Sequence, residues 1–153
     1  KNKNIQIDII GDGFSKKQIR NWKKKYKIKV DYLGRKENFK LPYYFNSYKV
    51  LVLPSFYEGN PKVILEAMAC GCVVCGSDID AIRSIIKDKY NGIILKKSKK
   101  EIYRQIKKNL EIKNSFITQN AIKTIHKKYN LKTNLILEWN IISKIYEKNN
   151  YTT

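Results

Sequence analysis

A chain of 153 residues with 42% hydrophobic side chains can bury a real core, which excludes disorder, and it is expected to fold as one domain over residues 1–153. No apolar run approaches the roughly 20 residues that a membrane-spanning helix needs. The 32 Lys and Arg against 13 Asp and Glu give a formal charge of +19, which bears on association and not on fold.

Strand and helix patterns alternate along the chain. Ile5 to Ile10 reads as a strand, followed by Gly11-Asp12-Gly13 as a tight turn into a basic helix from about Ser15 to Tyr26, with Ser15 as its cap. Ile28 to Leu33 is the next strand, ending in Gly34-Arg35, and a short helix covers about Leu41 to Tyr48. Val50 to Leu53 is apolar without alternation, as suits a parallel strand covered on both faces. A polar loop, Pro54 to Asn60, leads into a helix from Pro61 to about Ala69, with Asn60 as candidate N-cap and Pro61 at the first helical position. Val63, Ile64, Ala67 and Met68 share the side of that helix that faces the sheet, while Lys62 and Glu66 fall away from it.

Gly71 stands where a left-handed C-cap costs least, and Val73 to Gly76 is a second buried strand. Beyond it come a helix from Ala81 to Lys87 capped by Asp80, a strand from Gly92 to Leu95, and helices over Lys99 to Ile112 and Phe116 to Tyr129. The last helix, about residues 131–148, carries Leu131, Leu135, Trp139, Ile142 and Tyr146 at helical spacing, which predicts a packed stripe. The fold class is therefore α/β, a Rossmann-like, doubly wound parallel sheet flanked by helices.

The chemistry concentrates between Val50 and Gly76. Open α/β sheets bind ligands at the carboxyl ends of their strands, where the free N–H groups of a helix start favour an anion such as a phosphate. Two carboxylates flank that place, Glu58 in the loop and Glu66 in the helix. Each also has a plain structural role open to it: a carboxylate stabilises a helix start, and Lys62 with Glu66 makes an i,i+4 pair. Cys70, Cys72 and Cys75 lie too far from His126, the sole histidine, for an evident metal set, and read as small side chains at a helix-to-strand corner. Gly11-Asp12-Gly13 lacks the third glycine of a dinucleotide fingerprint and by itself is a turn. Asp78-Ile79-Asp80 has the form of a metal motif, yet follows a strand, where a helix cap is the simpler role.

The segment EGNPKVILEAMACG, with seven residues between Glu58 and Glu66, resembles the signature of retaining nucleotide-sugar glycosyltransferases of family 4, which have the GT-B fold. GDG at 11–13, YLG at 32–34, PS at 54–55, SD at 77–78 and NG at 91–92 keep the order of that family from about Ile5 to Leu95, and a closing helix runs to Tyr146. The resemblance covers the donor-binding, C-terminal half of such an enzyme and implies roles residue by residue. Glu58 would lie against the transferred sugar as the catalytic carboxylate, and Glu66 would accept hydrogen bonds from the ribose hydroxyls. Gly59, Asn60, Pro61, Lys62 and Val63 would offer the diphosphate or sugar a loop and helix start, with Gly13 at the nucleotide and Arg35 at the base. Retention in this family proceeds without a classical nucleophile, and no metal or other cofactor is expected beside the UDP- or GDP-linked donor.

Departures from the family are modest: Val73 for a common proline, Ser84 for a frequent glutamate, and Asp80-Ala81 for small glycines. The resemblance also places a strand bearing an Arg and a Lys, and an acceptor domain with a catalytic His, upstream of Ile5. His126 beside Lys127 and Lys128 does not fit that role, and Lys1 is expected to be a cut point. In the order 3-2-1-4-5-6 that upstream strand is the first, so the strands at Ile5–Ile10 and Val50–Leu53 would each be short of a partner. By itself the chain is then expected to be marginally stable and inactive as a transferase.

The expected partners are a nucleotide-sugar donor and a glycan or lipid-linked acceptor in lipopolysaccharide or other surface-polysaccharide synthesis, with no nucleic acid. The expected location is the cytoplasm, with peripheral contact to the anionic inner face of the membrane. Three readings of the charge compete: nucleic-acid binding, attraction to that membrane, and a surface filled with Lys and Asn by compositional habit. The alternatives in function are a basic binding module for nucleic acid or membrane, and a nucleotide-sugar epimerase of GT-B architecture.

Overall fold

The computed structural model describes residues 5–27, 29–96, 98–111 and 115–150; the strand and helix ends read at Ile28 and Ile112, and the cut point at Lys1, lie outside them. The elements are β1 (Gln6–Ile10), α1 (Lys16–Tyr26), β2 (Lys29–Gly34), a 3-10 turn (Asn38–Lys40), α2 (Leu41–Ser47), β3 (Val50–Leu53), α3 (Lys62–Ala69), β4 (Val73–Ser77), α4 (Asp80–Arg83), β5 (Ile93–Leu95), α5 (Lys99–Glu111), α6 (Ser115–Lys128) and α7 (Leu131–Asn150). The chain divides into two compact units, residues 1–43 and residues 44–153.

In the first unit β1 and β2 run parallel, and α1 packs back onto β2 through the buried Ile19. Ser15 caps α1 as the sequence predicts. Its hydroxyl accepts from the Gln18 N–H while the Gln18 side chain accepts from the Ser15 N–H, a reciprocal capping box.

The second unit holds a parallel sheet in the order β3-β4-β5. The central strand β4 alternates between two apolar layers. Val73 and Cys75 join Ile93, Leu95 and Ile117 on one face, with Val50, Val52, Ile102 and Ile106 packed against them. On the other face α3 and α4 bury Ile64, Ala67, Met68 and Ile82. Gly76 belongs to that face because a Cβ there would stand 2.7 Å from Ile82 Cγ2. The parallel α/β class is thus as predicted, built as two sheets in which β1 and β3 each have one hydrogen-bonded neighbour.

Four local expectations are corrected. Asn60 does not cap α3 and Pro61 is not its first helical residue: Pro61 is the N-cap, with ψ 71°, because the Asn60 carbonyl already accepts the Lys62 N–H across it. Asp80 does not cap α4. Ile79 holds that position without a side-chain bond, and the Asp80 carboxylate turns to Arg83 at 2.9 Å. The helix expected to reach Lys87 stops at Arg83, because the Asn91 side chain takes the Lys87 N–H at 2.7 Å and donates to the Ile85 carbonyl at 3.1 Å. Finally, Leu131, Leu135, Trp139, Ile142 and Tyr146 are exposed on α7. Ile136, Leu137, Ile141 and Ile145 carry apolar surface around the rest of that helix, and Ile117 of α6 with Ile102 and Ile106 of α5 already covers the sheet face.

Gly71 closes α3 as predicted. It adopts φ 73°, its N–H bonds the Met68 carbonyl, and the Cys72 N–H bonds that of Ala67, the double pattern of a Schellman ending. The chain is thereby turned into β4, and Cys72 and Cys75 are sealed in the core. Burial pushes their thiols up to about 11 and about 12, against an ordinary 9.0. A thiol raised in the folded state contributes stability that is complete below pH 9.0 and is lost as pH rises through about 11 and 12, because the unfolded thiols ionise first. The unfolding midpoint of the wild type should therefore fall more steeply above pH 9 than that of a Cys72→Ala, Cys75→Ala double variant. Identical alkaline slopes would contradict this.

Candidate functional site

The site in the second unit begins where β3 runs out. Its last residue, Leu53, passes the chain into the loop Pro54-Ser55-Phe56-Tyr57-Glu58-Gly59-Asn60, at the carboxyl end of a strand whose neighbour β4 ends at Ser77. Ser77 Oγ lies 3.5 Å from the Leu53 carbonyl, which ties the two strand ends together. Within the loop, the Ser55 hydroxyl donates to Glu58 Oε1 at 2.6 Å. That short bond to an ionised acceptor holds the half-buried Glu58 in one orientation.

Glu66 is also half-buried. Among the described residues neither Glu58 nor Glu66 has a Lys or Arg within ion-pair distance. Pro61, buried between them, supplies no side-chain acceptor to the first turn of α3. Carboxylates on both sides of an uncapped helix start can together bind a ligand that carries anionic groups for the N–H donors and hydroxyls for the carboxylates. Gly59, Asn60 and Lys62 are exposed along this path and Val63 is half-buried.

Asp78 and Asp80, the aspartates of the metal-like motif, both engage Arg83, at 3.1 and 2.9 Å. The bond to Asp80 and the charge of Asp78 hold the guanidinium above its ordinary value. His126 is exposed at the basic end of α6.

The remaining predicted residues lie in the first unit, at the carboxyl ends of β1 and β2. The Gly11 N–H bonds the Gly34 carbonyl at 3.0 Å, so the turn carrying Gly13 and the strand end carrying Arg35 meet on one rim. Gly11 and Gly34 have φ 130° and 65°, values that an L side chain rarely adopts, and the register of the two strands shifts there. Gly13 and Arg35 are both exposed. Arg35 opens a hollow of about 720 Å³ whose other walls are Lys36, Glu37, Asn38 and Phe39, a mixture of cations, one carboxylate and one exposed ring.

Sequence reasoning singled out the glutamates and passed over the two residues before Glu58. Phe56 and Tyr57 are 98% and 85% exposed. An aromatic pair in a polar loop bounded by proline and glycine was the available signal, and it was legible in the sequence.

The chain matches the sequence model of the family described as glycosyl transferases group 1 over residues 1–130. An α-1,4-N-acetyl-D-galactosaminyltransferase of Campylobacter jejuni, whose full name gives a diNAcBac-PP-undecaprenol glycan as the molecule extended, is 37% identical over 93 residues, 60% of this chain and 25% of that protein. Sucrose-phosphate synthase from Thermosynechococcus elongatus superposes with a TM-score of 0.83 at 18% identity, covering 94% of this chain and 39% of that one. HepE of Anabaena, solved in complex with UDP, superposes with a TM-score of 0.79 at 19% identity over 91% of this chain and 41% of that one. The chain therefore spans about a quarter of the length of that curated relative. With most of its length matched by the family and its α/β fold shared with these enzymes, this chain belongs to the glycosyl transferases of group 1.

Proposed function

We propose that this chain holds the nucleoside-diphosphate sugar of a retaining glycosyltransferase that extends a glycan or lipid-linked acceptor in surface-polysaccharide synthesis. The observation that carries the reading is the spacing of Glu58 and Glu66 across a loop and a helix start that no side chain caps. In this reading the diphosphate meets the N–H groups from Gly59 to Val63, and Lys62 adds a mobile cation. Glu66 accepts from the ribose hydroxyls, Glu58 faces the transferred sugar, Gly13 approaches the nucleotide through its backbone, and Arg35 lies at the base. The protein's part in the chemistry is to hold geometry and charge while the diphosphate leaves. The expected donor is UDP- or GDP-linked, and the reading needs no metal.

The undecaprenol-linked substrate in the Campylobacter relative's name, together with the +19 charge, supports peripheral contact of the whole protein with an anionic membrane surface. Among the described residues no helix is long and apolar enough to cross a membrane.

A thermal-shift panel of the full-length protein with UDP, GDP, ADP and a short oligonucleotide, each at two salt concentrations, tests the donor assignment. One nucleoside diphosphate should raise the melting temperature at both salts, as a ligand that binds only the folded state must. Glu66→Ala should weaken that ligand by roughly ten- to a hundredfold, the loss of hydrogen bonds to a charged acceptor. A shift produced only by the oligonucleotide, collapsing at high salt and indifferent to Glu66→Ala, would instead identify a nucleic-acid-binding module.

A further inference from the structure

Phe56 and Tyr57 are the two most exposed large hydrophobic side chains among the described residues. Neither belongs to the apolar layers around β4. Among the described residues neither ring stacks on another ring or lies beneath a cation, unlike Phe14 on Trp22 or Phe39 under Lys40. Water is a poor neighbour for two adjacent aromatic faces, so a folded chain that displays them leaves apolar surface unused.

Their position narrows what would use it. Both rings lie in the loop that leaves β3, between Ser55 and Glu58, and the 2.6 Å Ser55–Glu58 bond closes a short ring of chain around them. They are consequently presented by a pinned segment, immediately before a half-buried carboxylate that has hydroxyl-accepting capacity left after Ser55. A pyranose ring has matching chemistry: one face of axial C–H groups, which suits a π surface, and an edge of hydroxyls, which suits a carboxylate. A purely apolar partner would satisfy only the rings, and an acidic one would satisfy neither the rings nor the carboxylate.

We propose that Phe56 and Tyr57 form a stacking platform for a pyranose ring, with Glu58 taking hydroxyls at its edge. This deepens the reading of the same site as a sugar-transfer site and rests on it. The ring has two sources, the donor's sugar or the acceptor's terminal sugar, and one set of titrations separates them. The full-length protein is titrated with UDP, with UDP-N-acetylgalactosamine, and with the methyl α-glycosides of N-acetylgalactosamine and mannose in the presence and absence of UDP, followed by ligand-observed NMR and calorimetry.

Phe56→Ala and Tyr57→Ala should each weaken sugar binding on the order of tenfold, while Tyr57→Phe keeps it and UDP binds all variants alike. Loss confined to the step from UDP to UDP-N-acetylgalactosamine supports the platform and assigns it to the donor sugar. Loss of the methyl glycosides supports it and assigns it to the acceptor. Unchanged binding of every sugar in both alanine variants overturns it, as does a wild type that binds none of the sugars. If the wild type ignores UDP but holds a methyl glycoside through these rings, the donor reading fails while the platform stands. A melting temperature unchanged in the alanine variants checks that the rings act outside the core.

Discussion

Glu58→Gln is expected to lower the turnover of sugar transfer by roughly a hundred- to a thousandfold, the range typical of removing one group preorganised toward developing charge. The substitution is nearly isosteric. Its carbonyl oxygen still accepts from Ser55, whose hydroxyl sits 2.6 Å from Glu58 Oε1, so the loop should keep its shape. In the proposed arrangement the negative charge facing the anomeric carbon is what disappears, and it matters most when that carbon becomes cationic on the way to transfer. The affinity for the nucleoside diphosphate should stay within a few fold, because in the proposed arrangement the nucleotide is held by Glu66 and the helix start. Steady-state turnover measured beside calorimetric nucleotide binding separates the two effects. Activity within threefold of wild type would remove Glu58 from the chemistry. Ser55→Ala is the graded companion: it frees the carboxylate without neutralising it, and about tenfold is expected, in keeping with one modest hydrogen bond.

The β3-loop-α3-β4 unit was legible because its signals are local. An unalternating apolar run, a glycine at the helix end and two glutamates with seven residues between them all act within a few turns of chain, and the strand, the helix and its glycine ending reappear as structure. What misled were the places where another nearby group takes the bond that a cap would make. Asn60 has a cap's side chain, but its own carbonyl takes the Lys62 N–H, so Pro61 becomes the boundary. Asp80 has a cap's side chain too, and Arg83 claims it.

α7 shows the same limit in packing. Helical spacing in the sequence states that Leu131, Leu135, Trp139, Ile142 and Tyr146 share a side, but not that anything lies against it. Phe56 and Tyr57 carry a legible signal, an aromatic pair in a polar loop, but the degree of their exposure comes from the geometry.

Asn91 explains why α4 is short, and its loss should carry a large cost in stability. It stands at 1% exposure, first residue of the Asn91-Gly92 pair. Its Oδ1 accepts from the Lys87 N–H at 2.7 Å, and its Nδ2 donates to the Ile85 carbonyl at 3.1 Å and to Thr124 Oγ1 at 3.2 Å. Thr124 in turn donates to the Asn120 carbonyl at 2.7 Å, and Asn120 Nδ2 reaches the Tyr90 carbonyl at 3.3 Å. One buried amide thus joins the end of α4, the approach to β5 and the middle of α6.

Asn91→Ala deletes three bonds, leaves a cavity, strands the buried Ile85 carbonyl and removes the partner of the Lys87 N–H. A stability loss of about 2–4 kcal/mol is expected, since each orphaned buried group costs about 1–3 kcal/mol and relaxation recovers part. Thr124→Val breaks one arm of the network and should cost about 1 kcal/mol. Asn91→Asp keeps the acceptor toward Lys87 but replaces both donations with lone pairs facing the Ile85 carbonyl, so it should be no milder than alanine at neutral pH. Urea unfolding midpoints of the three variants measure this order. A loss below about 0.5 kcal/mol for Asn91→Ala, the level of an ordinary surface change, would mean that water replaces the amide and that the network does not set the length of α4.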